Sequence, residues 1–230
     1  MTILTNSVRA AIGNSIATET VKDNYKEMMN LSFGYMWISG WFAVCIGHLI
    51  QPFMKIWVGD DLLLNNTCAV LFAIYFYVLR IGEIRSLYIE AVGLWKENRV
   101  RALVEMIVNI VFNWLLVQKY GITGILVATI ISVLIISQGY GTKILYKFYF
   151  KDEFFKEFVV DNLKFFSITV LSYFILWLIF SLINIDNIVL ELLIKGVGCV
   201  IVPNIIFLCT LKKDKRFVYV KEILSRILRR

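Results

Sequence analysis

Apolar residues in this chain run in long unbroken stretches rather than alternating with polar ones. Six such runs cover residues 31–50, 67–89, 102–117, 121–142, 165–185 and 188–211. The first, fourth and fifth contain no Asp, Glu, Lys or Arg. A hydrocarbon core of roughly 30 Å takes about 20 helical residues to cross, so each run predicts a transmembrane helix. A membrane barrel would need strands of alternating character, which these runs lack. The predicted fold class is all-α: a polytopic membrane protein of about six spans, with a partial helix before the first and interfacial helices on its basic side.

The polar gaps between runs carry the orientation. If the first span is entered from the cytoplasm, 19 of the 24 Lys and Arg fall in cytoplasmic segments. These are Arg9, Lys22 and Lys26; then Lys96, Arg99 and Arg101; then Lys143, Lys147, Lys151, Lys156 and Lys164; and eight in the tail after residue 211. Lys55 and Lys119 lie on the other side, and Arg80, Arg85 and Lys195 within spans. Cationic loops stay inside, so both termini are expected in the cytoplasm of a multi-pass cell-membrane protein. The same loops account for the formal charge of +7 without nucleic acid, because they face lipid headgroups. With 59% hydrophobic and 18% charged residues, a soluble domain is excluded.

Three segments follow from this pattern. Residues 1–30 read as the end of a helix and a charged cytoplasmic loop, as if sequence upstream were missing. Residues 31–150 hold four spans. Residues 151–230 hold an interfacial loop, two further spans and a basic tail. In the loop 151–164, Phe154, Phe155, Phe158, Val159 and Leu163 share one broad helical face among charges. The tail repeats that theme with Ile223, Leu224, Ile227 and Leu228. Pro52 is expected to end or kink the first span, and Trp57 to sit at headgroup level.

Candidate chemistry concentrates in the second and third spans. On a helix, Phe76, Arg80, Glu83, Leu87 and Glu90 share one face, and Arg85 points away from it. Ionisable groups inside a membrane are costly and normally face protein or a wet cavity. Arg80 and Glu83 therefore read as a cationic site for an anionic substrate. The competing reading ends the span near Leu79 and lets the arginines snorkel. Glu105, Asn109 and Asn113 form a stripe at i, i+4 and i+8 on the third span. It either lines a polar cavity or stitches helices together by hydrogen bonds. Gly124, Ala128 and Ser132 form a small-residue seam for close packing. His48 reads as structural, and Glu191 with Lys195 as a self-neutralising pair. The four cysteines lie in or beside apolar runs without metal spacing. No catalytic triad, phosphate-binding glycine loop or metal cluster is visible, so the chain is not expected to be an enzyme and implies no cofactor.

Several strings occur in an order that resembles a known family. They are Ile12-Gly13-Asn14-Ser15-Ile16-Ala17 before a charged loop, Pro52-Phe53-Met54-Lys55-Ile56-Trp57-Val58-Gly59 after the first span, and Ala91-Val92-Gly93-Leu94 after the second. Asn109 follows in the third span, then Gly121-Ile122-Thr123-Gly124 with Thr129 and Ser132 in the fourth. Over about residues 9–150 the chain resembles the C-terminal half of polysaccharide flippases. These export O-antigen, capsule and exopolysaccharide repeat units, and belong to the multidrug/oligosaccharidyl-lipid/polysaccharide exporter superfamily. The resemblance implies a two-lobed transporter of 12 or 14 helices that turns an undecaprenyl-diphosphate-linked oligosaccharide across the bilayer. Its partners would be the bilayer, that lipid-linked oligosaccharide and an N-terminal lobe. From position alone, Arg80 is expected to pair with the substrate diphosphate and Arg85 to help recruit it. Glu83 and Glu105 would orient these cations or couple to protons, and Asn109 would meet sugar. The rival readings are a multidrug extruder of the same superfamily, an inactive fragment, and a membrane-embedded glycosyl- or acyltransferase.

Overall fold

The computed structural model describes residues 2–151, 154–183 and 185–219, with side chains from residue 8 onward. The tail cluster Ile223, Leu224, Ile227 and Leu228 lies outside the described residues. All regular structure among the described residues is helical: α1 (Thr2–Thr18), α2 (Val21–Val58), α3 (Asn66–Ile81), α4 (Glu83–Ala91), α5 (Trp95–Ser132), α6 (Gly141–Leu145), α7 (Phe155–Ser181) and α8 (Ile188–Leu211). Stretches of π-helix, Val133–Tyr140 and Tyr146–Phe150, flank α6. Five of the continuous helices are long and apolar enough to cross a bilayer, so the chain is a multi-pass membrane protein.

One of those five is itself two crossings. The helical stretch Trp95–Phe150 has 56 residues, about 84 Å if straight and far more than a bilayer is thick. Gly121 breaks it with φ 56 and ψ −135, a backbone that side-chain-bearing residues rarely adopt. The two legs then run antiparallel. Asn109 donates to Ser132 (3.0 Å) and Arg101 to Ser137 (2.9 Å), pairs that are centred on the turn. Gly124 lies directly against the Leu116 carbonyl, where a Cβ would clash. Ala128 and Ser132 are buried in the same seam, as their small size predicts. With this hairpin the chain makes six crossings.

The longest straight element is α2, with 38 residues or about 57 Å. Thr20 caps it by accepting from the Asp23 N–H (3.2 Å). Pro52 does not end it: the helix continues to Val58 and stops at Gly59, whose φ is 81. α2 is the axis of the bundle, with α3, α4, α7 and α8 all packed on it. Near the end that carries the basic loops, Tyr25, Met28, Tyr88, Tyr146, Phe150 and Phe158 form one core. Phe33, Met36, Phe165 and Phe207 form the next, and Val44, Leu176 and Cys199 a third. The amphipathic stretch expected in the loop after residue 151 is no separate interfacial helix. From Phe155 it is the first part of α7, continuous with the fifth span.

Proline is tolerated in α8 by a partner from α2. Pro203 has no N–H to donate, which frees the Cys199 carbonyl one turn earlier. The Trp41 indole Nε1 donates to that carbonyl at 2.9 Å. Beside it, Trp37 Nε1 donates to Asn204 Oδ1 at 3.0 Å. Two indoles of α2 thus hold α8 where its own ladder is interrupted, as a lipid environment demands.

Candidate functional site

The second span bends where the charged residues begin. α3 ends at Ile81 and α4 starts at Glu83, with Gly82 between them at φ −95 and ψ 0. A side chain from the hairpin enters this break: the Gln138 amide lies 2.5 Å from where a Gly82 Cβ would stand. Gln138 Nε2 donates to the Val78 carbonyl at 2.7 Å, satisfying a backbone acceptor at the bend. A Cβ here would displace the glutamine amide.

Arg80 and Glu83 pair across the bend at 3.2 Å, and the Arg80 guanidinium lies over the Phe76 ring at 5.7 Å. The predicted face is therefore present, and both side chains keep about 30% of their surface (29% and 31%). Further along, Glu90 bonds Arg9 of α1 at 3.1 Å. Arg85 leaves this face, as the helical spacing predicts, and turns into the protein. It is only 2% exposed. Its Nη1 donates to the Gln138 carbonyl and to Thr142 Oγ1, both at 3.0 Å. Its Nε has no partner, and it bonds no carboxylate directly.

Glu105 holds a different arginine from those expected. Arg101 Nη1 donates to Glu105 Oε2 at 2.5 Å and to Ser137 Oγ, while its Nε donates to Asn98 Oδ1 at 2.7 Å. Arg101 and Arg85 pass each other on the bare face of Gly141: its Cβ would stand 3.2 Å from Arg101 Cδ and 3.2 Å from Arg85 Cζ. Glu105 thus answers Arg101, while Arg85 lies close by as a second guanidinium with neutral partners. Asn109 faces the other leg of the hairpin, donating to Thr129 Oγ1 (3.3 Å) and Ser132 Oγ, and accepting from Asn113 at 2.8 Å. Of the two open readings for that stripe, the contacts are those of stitched helices.

The structure therefore separates the five candidate residues into two places. Arg80 and Glu83 form a half-exposed ion pair beside the bend. Arg85, Glu105 and Asn109 belong to a polar seam that joins the hairpin to α4. Arg101, Gln138 and Thr142 complete that seam and were not singled out from the sequence. Arg101 and Glu105 carried a signal in their i, i+4 spacing. Gln138 and Thr142 carried a weaker one, as polar residues one turn apart in a charge-free run. The outer pairs are as read: Lys195 bonds Glu191 at 2.5 Å, and His48 stacks on Tyr173 with ring centres 4.4 Å apart. No protein-family model, curated protein or solved structure matches this chain.

Proposed function

We propose that this chain is the C-terminal part of a flippase for lipid-linked oligosaccharides, with Arg80 as the residue that meets the substrate diphosphate. The reading rests on the order of the sequence strings described above. The observation that carries it here is the state of Arg80. It lies in a span, on the half nearer the basic loops, and keeps 29% of its side-chain surface beside one carboxylate, Glu83, with its Nε buried and unpartnered. A guanidinium matches a diphosphate with two parallel charge-assisted hydrogen bonds. Arg85 adds buried positive charge nearby. A cavity around Arg80 would be completed by an N-terminal lobe, and the basic end would face the cytoplasm, where the lipid-linked substrate is collected.

An arginine within the span, with the buried charge of Arg85 nearby, favours an anionic substrate over the cationic drugs that a multidrug extruder would take. The test is repeat-unit translocation by a two-lobed protein assembled from this chain and an N-terminal lobe, comparing Arg80→Ala and Arg80→Lys with the parent. Loss in Arg80→Ala with partial activity in Arg80→Lys is expected. Parental rates in both variants remove Arg80 from the mechanism.

A further inference from the structure

α3 and α7 both pack on α2 but barely on each other, and the gap between them is a cleft open to the bilayer. Its outer chamber is walled by Val70, Ala73 and Tyr77 of α3 and by Phe166, Val170 and Tyr173 of α7. Ala43 and Val44 of α2 make its floor. A second chamber of about 440 Å³ continues toward the basic end, lined by Ile81, Leu134, Gln138, Phe155, Phe158 and Asn162 among others. Ile74, Tyr77 and Phe166 line both chambers. The Tyr77 and Phe166 rings, 5.9 Å apart, form the waist between them.

The depth of this cleft matches one leaflet. Along α7 it runs from Phe155 to Tyr173, about 27 Å at 1.5 Å per residue. Half a bilayer with its headgroups is roughly 20–22 Å, and helix tilt takes up part of the difference. The lining is largely apolar: in the outer chamber the Thr169 hydroxyl is turned back onto the Phe165 carbonyl, and the amide side chains, Gln138 and Asn162, lie at the basic end. Charge continues the same gradient. Lys143 directly follows Thr142 and is exposed at the basic end, whereas Lys156 lies on the side of α7 that bears Glu157 and Asp161. The nearby Glu157 is engaged by the Tyr25 hydroxyl at 3.2 Å. A headgroup at this end would lie near the exposed Lys143 ammonium.

We infer that the α3–α7 cleft is a binding site for one acyl chain of an anionic glycerophospholipid from the leaflet at the basic end. The chain lies in the groove from Phe155 past the Tyr77–Phe166 waist, and the phosphate rests at Lys143. The site is independent of the flippase reading, since it needs neither Arg80 nor a second lobe. A packed interior does not leave such a groove empty, and the bilayer supplies only hydrocarbon at this depth.

The experiment uses the 230-residue chain in nanodiscs with phosphatidylglycerol carrying a diazirine either near the acyl carboxyl or at the chain end. Cross-links are mapped by peptide mass spectrometry. The carboxyl-proximal probe should label the stretch from Phe155 to Asn162, and the chain-end probe Ala73 and Val170. Unlabelled phosphatidylglycerol should displace the label about fivefold better than phosphatidylcholine, as one lysine at a membrane surface implies. Ala73→Phe should empty the outer chamber of label and leave labelling of α8 unchanged. Equal labelling of the cleft and of the outward faces of α5 and α8 would overturn the site. So would unchanged cleft labelling in a folded Ala73→Phe protein. If that variant does not fold, the two-probe pattern in the parent chain decides alone.

Discussion

Arg216 grips Asp161 with two parallel hydrogen bonds, Nη1 to Oδ2 and Nη2 to Oδ1, both 2.7 Å long. The pair joins the segment after α8 to the first third of α7. Asp214 closes the other side, accepting from Arg216 Nε at 2.9 Å and from Nη2 at 2.7 Å. The guanidinium also lies over the Phe33 ring of α2 at 5.1 Å. One side chain therefore locks three elements where they leave the membrane. Burial opposes the charge on Arg216, but its bonds to Asp214 and Asp161 outweigh that and push its pKa up. Arg216→Ala strands Asp161, whose side chain is 7% exposed, without a counterion. A loss of about 3 kcal/mol is expected, because removing one partner leaves the other charge buried. Arg216→Lys should recover only part of it, since an ammonium cannot make the bidentate contact. Thermal unfolding in detergent reads both. A melting point unchanged in Arg216→Ala would show that the clamp carries no stability.

The same clamp predicts an acid-labile step. The hydrogen bond from Arg216 holds the Asp214 carboxyl down to about 2, against the opposing effect of burial. A carboxyl depressed in the folded state stabilises above its unfolded value near 3.8, and that stability fades as pH falls toward about 2. Asp214→Asn removes this titration. Parent and variant should differ in melting temperature at pH 5 and converge between pH 3.8 and 2. A constant difference across that window would place the acid response elsewhere.

Trp41 and Pro203 should be energetically coupled although they do not bond each other. The indole donates to a carbonyl that is free only because residue 203 is proline. Trp41→Phe leaves that carbonyl only the weak thiol contact from Cys45 Sγ at 3.8 Å, at a cost of about 1 kcal/mol. In a Pro203→Ala background the helix regains its own donor, so the same change should cost less. The double-mutant cycle measures the difference directly. Equal costs in both backgrounds would mean that the indole bond is incidental.

Much of this architecture was legible because the bilayer imposes a length. Runs of about 20 apolar residues could only be crossings, and the short gap at residues 118–120 between the third and fourth runs placed the hairpin turn. Arg80 and Glu83 were also readable, since they lie three residues apart on one helix. The partners of Arg85 were not. Gln138 and Thr142 lie 53 and 57 residues away, in a run whose lack of charge marked it as plain membrane filler. Periodicity reports which face a residue occupies, but not which distant helix meets that face. Trp41 is a similar case. Its acceptor is a backbone carbonyl, which has no signature of its own, although Pro203 indicated that one had been released. The bond from Arg101 to Glu105 was not singled out either, because Arg101 lies outside the apolar run and reads as a loop cation.

Arg85 offers the sharpest division between structure and chemistry. Its charge is buried, yet both of its bonds go to neutral acceptors, and Arg101 stands nearby as a like charge. Removing the charge leaves no carboxylate without a partner, because Glu105 remains bonded to Arg101. Replacing a buried ion by an apolar group of similar size is often neutral or stabilising by about 1–4 kcal/mol. Arg85→Met should therefore melt at or above the parent temperature, with Gln138 still holding the bend at Gly82. In a two-lobed transporter the same variant should lower translocation if the positive field behind Arg80 helps hold a diphosphate. A clear fall in melting temperature would instead show that the bonds to Gln138 and Thr142 outweigh the cost of burying the guanidinium. Parental transport with unchanged stability would leave Arg85 without a role in either.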